Sequence, residues 1–209
     1  MAEPDLMQLA ERERSSLAAL LEGLTQEQWR APSLCRDWSV RDVAVHVVGY
    51  DELGAAGTAK AFVRGGVRVD SVNRYVLERY ADLDTAGVVA MVVRCRRPRG
   101  LTAGFGGGIA LTDGTIHQQD IRRALSIPRE IPEAQLVSVL DFALKAPTLP
   151  GRRNARRLHL AATDVDWSHG SGPRVDGPAE ALLMAVAGRP DALGDLSGDG
   201  LPTLRARLR

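Results

Sequence analysis

Apolar positions recur at Leu6, Leu9, Ala10, Leu17, Leu20 and Leu21, close to one face of a helix over about residues 5–22. Thr25 followed by Gln28 is a capping-box pattern, and the short helix it opens must end before Pro32. Ser39 and Asp42 repeat the box and start a helix through Val43, Val47 and Val48, which Gly49 weakens without ending. Helical segments fit about 68–80 and 84–96, and the apolar run Val88 to Val93 marks the latter as buried and central. Ile109, Leu111, Ile116, Ile121 and Leu125 place a helix over about 109–125, and one more fits 133–146.

The pattern changes after Pro150. Leu158-His-Leu160 and Val165-Asp-Trp167 alternate as strands do, and Ser168 to Pro173 reads as a turn between strands. Pro178 at a first helical position starts a helix that Gly188 stops, and Leu201 to Leu208 predicts a last short strand. The expected architecture is mainly α: a helical bundle over 1–150 and a small α+β domain over 151–209. Between the helices lies Pro98 to Gly108, with glycines at 100, 104, 106, 107 and 108. No Lys-Ser/Thr pair follows it as a phosphate loop requires, so it reads as a crossover.

Composition narrows the function classes. The chain has 209 residues, 44% hydrophobic and 25% charged, enough for a core, but only 4% aromatic, so that core rests on Leu, Val and Ala. A net charge of +1 points to neither nucleic acid nor an acidic partner. Of 27 basic residues only Lys60 and Lys145 are lysines, an arginine bias that reads as a high-GC genome. The clusters Arg94, Arg96, Arg97, Arg99 and Arg152, Arg153, Arg156, Arg157 lack interleaved aromatics for base stacking and read as solvated helix ends. The charged N-terminus has no apolar signal region, and no apolar run is long enough to span a membrane. Cys35 and Cys95 form neither a metal-type pair nor a disulfide framework, and a cytoplasmic location is expected.

Two of the four histidines, His46 and His117, fall on predicted helices. Asp113 and His117 stand four apart, on one helical face, where both can reach a single ion. A third ligand must then come from another helix, and His46 is the other helical histidine. Spacing alone equally describes a local Asp–His ion pair and a hydrogen-bonded core histidine. Asp42 reads as the acid of its capping box. His159, between Leu158 and Leu160, points to the solvent side of a strand, and His169 lies in a turn. Trp29 and Trp38 read as packing anchors, Trp167 as the anchor of the hairpin, and Cys35 as packing rather than a nucleophile.

The segment SLCRDWSVRDVAVHVVG, from Ser33 through Trp38, Asp42 and His46, resembles the N-terminal motif of the mycothiol-dependent maleylpyruvate isomerase family, within the DinB/YfiT-like superfamily of metal-binding four-helix bundles. DGTIHQQDIRRAL, from Asp113 through His117, Asp120 and Arg123, resembles its second motif. ATDVDWS, with Asp166 and Trp167, and GPAEALLMAVAGRP, with Glu180, Gly188 and Arg189, are similar to its C-terminal domain. The resemblance implies a DinB-like bundle with metal ligands on His46, Asp113 and His117. The family pattern has glutamate in the middle position, and Asp113 is one methylene shorter. Three protein ligands with an open fourth position describe a catalytic site, and the ion implied is divalent, zinc foremost.

The resemblance also implies mycothiol, the low-molecular-weight thiol of actinobacteria, as cosubstrate, and a small electrophile as substrate of an isomerase or thiol S-transferase. An arginine of the C-terminal domain, here Arg189, is implied as a carboxylate binder, although a cation closing a helix C-terminus is the plainer role. Asp120 is a partner for His117 or, equally, a salt-bridge partner of Arg123. The alternative function is a non-catalytic metal- or thiol-binding stress or regulatory protein of the same fold. Bundles of this kind often form homodimers, for which the residues themselves carry no signal.

Overall fold

The computed structural model describes residues 5–66 and 69–208. It divides into two compact units, residues 1–128 and 129–209.

The first unit is built on four long helices. Helix α1 (Leu6–Glu22) begins at Asp5, whose carboxylate accepts from the Gln8 amide at 3.1 Å. The short α2 (Gln26–Arg30) and the long α3 (Val40–Gly65) both open on complete capping boxes, Thr25 with Gln28 and Ser39 with Asp42. Asp42 therefore serves its own helix N-terminus. Helix α3 runs through Gly49 and kinks at Gly54, where φ is 65°. Gly49 admits the neighbouring α4 (Val69–Arg79), since a Cβ there would stand 2.4 Å from Val76 Cγ1. Helix α5 (Thr85–Arg94) is capped by Asp84 and buries Val88, Met91 and Val92. After a 3-10 segment over Gly100–Gly107 comes α6 (Gly108–Ala124).

Helices α1, α3, α5 and α6 are the bundle, α1 and α3 each packing on both α5 and α6. Leu17, Leu21, Val43, Val47, Val88, Met91 and Ile121 meet in its core with Trp29. The packed face of α1 is not purely apolar: Glu13 and Arg14 are buried on it beside Ala10 and Leu17. Arg14 donates to both carboxylate oxygens of Asp51, at 2.8 and 2.9 Å, and to the carbonyls of Cys95 and Val47. Asp51 also accepts from the Arg99 amide and the Thr102 hydroxyl, tying α1, α3 and the 3-10 segment together.

The second unit contains α7 (Glu133–Lys145), α8 (Gly151–Asn154), a sheet, α9 (Ala179–Val186) and α10 (Leu201–Arg207). Strands β1 (His159–Ala162), β2 (Ser168–Gly170) and β3 (Arg174–Gly177) lie in the order β2-β1-β3, with β2 antiparallel and β3 parallel to β1. Registers include Leu160 opposite His169 and Leu160 opposite Val175. The apolar α9 is buried along nearly its whole length, with the Asp164 carboxylate accepting from the Ala179 amide at its start. Trp167 is anchored by its indole N–H, which donates to Asp141 of α7 at 3.0 Å.

Two sequence expectations change here. The strand read over 165–167 starts instead at Ser168, inside the stretch read as a turn, and β2 is wholly exposed. Backbone pairing to β1 makes it a strand, so apolar alternation was no guide. The last strand, read over Leu201 to Leu208, is helix α10. Leu204, Ala206 and Leu208 alternate with arginines and mimic a strand, but Pro202 lies in a first helical turn and Leu204 is the buried residue. Helix α7 packs on α9 in the second unit.

Candidate metal centre

His46 and His117 reach one another from different helices. On α3, Val43 to Val48 are buried around the partly buried His46; on α6, Asp113 and His117 form a less buried stripe beside the buried Leu111, Thr115, Ile116 and Gln119. Asp113 Oδ1 lies 3.5 Å from His46 Nε2 and 3.4 Å from His117 Nε2, and the two imidazole rings are 4.8 Å apart, edge to face. These three donor atoms fall within 4.8 Å of one another.

The spacing falls within ion-pair range and also suits a shared ion. A direct N–H···O bond is normally about 2.7–3.2 Å long. Two donors held about 2.0–2.1 Å from a tetrahedral ion stand about 3.4 Å apart, the separation found here. The donor set, two imidazoles and one carboxylate, suits zinc. The residues present therefore fit a divalent metal. Access comes at Asp113, whose side chain is 35% exposed, against 11% and 12% for His46 and His117.

The surrounding groups orient the histidines. Asp120, fully buried one turn beyond His117, places Oδ2 2.9 Å from His117 Nδ1. A proton on Nδ1 donated to that carboxylate leaves the Nε2 lone pair directed at Asp113, the carboxylate–histidine arrangement common behind metal ligands. The Trp38 ring stands 4.8 Å from His46 and 6.2 Å from His117. Tyr50, one turn after His46, lies edge-on to it and donates its hydroxyl to Asn73 at 2.6 Å. Burial, then the charge of Asp113, pushes the Tyr50 phenol up to about 12.

Electrostatics bind the cluster as a unit. Burial would raise the Asp113 pKa, but His117 and His46 outweigh it and hold the carboxyl well below the usual range. Burial would lower the His117 pKa, and Asp113, with the hydrogen bonds of Asp120 and Cys35, instead raises it well above the ordinary imidazole value.

Cys35, expected from the sequence to serve packing, stands instead against the buried carboxylate behind His117. Its Sγ lies 2.9 Å from Asp120 Oδ2 and 3.4 Å from His117 Nδ1. No local pattern announces this pairing, because the partners stand 85 and 82 residues away. Cys35, His117 and Asp120 make a second group with ligand-type atoms, but contacts of 2.9 Å are hydrogen-bond lengths rather than the wider spacing of atoms sharing an ion. Arg189 belongs to the second unit, where its guanidinium donates to the Ala187 carbonyl at 2.8 Å, at the C-terminus of α9.

The first unit is thus a four-helix bundle of DinB-like fold that carries a His–Asp–His cluster between two of its helices. Residues 10–104 match the family model of the mycothiol maleylpyruvate isomerase N-terminal domain. The matched stretch contains Cys35, Trp38 and His46; Asp113 and His117 lie beyond it. The fold is also similar to a crystal structure of the mycothiol-dependent maleylpyruvate isomerase, with a TM-score of 0.59, 13% identity, and coverage of 95% of this chain and 93% of that one. A histidine-to-alanine mutant of that isomerase matches over the same shares with a TM-score of 0.56. No curated protein sequence matches the chain.

Proposed function

We propose that this protein is a metal-dependent enzyme that uses a low-molecular-weight thiol, mycothiol, to isomerise a small electrophile or to join the intact thiol to it through sulfur. The observation that carries the reading is the 3.4–3.5 Å spacing of Asp113 from two imidazole nitrogens, too long for good hydrogen bonds and suited to a shared ion. A divalent ion, zinc by its donor set, would be held by His46, Asp113 and His117 and would supply Lewis acidity that favours the thiolate of a small thiol at neutral pH.

The chain's own residues do the rest. His46 and His117 present Nε2 from two helices, and Asp120 fixes the His117 tautomer. Trp38 packs beside both imidazoles and limits water there. Asp113 marks the side from which thiol and electrophile enter. A small thiol and a small substrate, acting in the cytoplasm, are the partners of this reading.

The test is turnover of an electron-poor small acid such as maleylpyruvate, with mycothiol, zinc-loaded protein and a His46→Ala variant. The proposal predicts consumption that needs both thiol and metal and falls at least about a hundredfold in the variant. Zinc binding without any thiol-dependent turnover would favour the non-catalytic metal- or thiol-binding alternative. The resemblance also offers Arg189 for a substrate carboxylate. A raised KM for an acidic substrate in Arg189→Ala, with zinc content unchanged, would assign it that role.

A further inference from the structure

We infer that Cys35 is a positioning residue for the metal ligand His117, acting through Asp120. This rests on the metal reading above and goes beyond its three ligands. The thiol and the His117 Nδ1 meet the same oxygen, Asp120 Oδ2, each at 2.9 Å. An ionised carboxylate only accepts, so the thiol donates to it, and so does Nδ1–H. Asp120 is fully buried, and the thiol and the imidazole N–H are two of the groups that hold its carboxylate. With both donors in place, Oδ2 is held in line with His117 Nδ1, and the ring presents Nε2 to Asp113.

The loop carrying Cys35 is built to hold the thiol still. Ser33 closes it, its amide and hydroxyl both donating to the Trp38 carbonyl, at 3.0 and 2.9 Å. The Cys35 amide donates to the Ser33 hydroxyl at 3.1 Å, and the Trp38 amide returns to the Cys35 carbonyl at 3.1 Å. Asp37 takes a left-handed φ of 64° to complete the turn. The Leu34 amide then donates to the Asp120 carbonyl at 3.2 Å, fastening the loop to the turn of α6 that carries the carboxylate. Cys35 is thus held beside Asp120 by the Leu34 amide and by the loop's own hydrogen bonds. The same loop delivers Trp38 to the two imidazoles, so the metal ligands are set from behind and from the side by one six-residue turn.

Serine preserves the donor and loses the sulfur; alanine and valine lose the donor, valine while keeping the volume. Zinc affinity of Cys35→Ser, Cys35→Ala and Cys35→Val is measured by competition with a chromogenic chelator, with the cobalt(II) absorption spectrum as a second readout. The expected result is affinity within about threefold of wild type for the serine variant and a loss of about tenfold or more for alanine and valine, the range typical of groups that orient metal ligands. The cobalt band should change shape in those two alone. Melting of the metal-free variants separates folding from positioning, since a purely structural cysteine would lower the melting temperature of serine and valine variants without splitting their metal affinities. Equal zinc affinity in all three variants, or loss in serine as large as in alanine, would overturn the inference while leaving the metal site intact. Failure of the wild type to bind zinc would instead strike the functional proposal itself.

Discussion

Asp113 stands between two imidazoles, and its charge keeps a proton on His117 in the metal-free protein. A ligating imidazole must be neutral, so metal and proton compete for the same nitrogen. Zinc uptake should therefore release a proton, and apparent affinity should weaken as the pH falls from about 8 to about 6, below the raised His117 value. Calorimetric titration in buffers of different ionisation enthalpy reads both effects, and an affinity flat across that range would contradict the account. Without metal the same pair couples folding to pH. The raised His117 pKa gives a contribution that is full below about pH 6.5 and declines as the pH rises through its folded value. The lowered Asp113 pKa gives one that is full above about pH 4 and is lost on acidification. At this scale the sequence was informative where partners are close along the chain: Asp113, His117 and Asp120 share one helix face. It offered Cys35 only as packing, because the partners of that thiol are brought to it by folding alone.

Helix starts were the most legible elements, since a capping box is a contact between residues three apart; Thr25 with Gln28 and Ser39 with Asp42 form as their spacing predicts. Polar residues on a buried face were not legible. Arg14 interrupts the apolar stripe of α1, yet it is almost completely buried against Asp51. Asp51→Ala removes the acceptor for Arg14, Thr102 and the Arg99 amide, leaving a buried guanidinium without its counter-charge. The expected loss is about 3–5 kcal/mol in urea unfolding, and a change under about 1 kcal/mol would show the network to be dispensable. Gly49 makes the complementary point. Propensity alone would have Gly49→Ala stabilise α3 by about 1 kcal/mol. The close approach of Val76 predicts net destabilisation instead, by about 1–3 kcal/mol.

For the whole molecule, the mainly helical class and the small α+β portion follow from the hydrophobic period, which shifts after Pro150. Helix α7 has a pattern like those of the bundle helices, and its packing on α9 places it in the second unit. Short segments were the weakness: α10 and β2 carry too few apolar residues for a period to be read. Because the metal cluster is assembled from α3 and α6, an ion bound there holds the folded first unit and not the unfolded chain. Zinc at a hundredfold excess over its Kd should add about 2.7 kcal/mol to stability, seen as a raised melting temperature that His46→Ala abolishes. The most direct test of the central claim is the zinc content of protein purified without a histidine tag, by elemental mass spectrometry, for wild type, Asp113→Ala and His117→Ala. The account predicts about one zinc per wild-type chain and very little in either variant; a metal-free wild type that also fails to take up added zinc would contradict it.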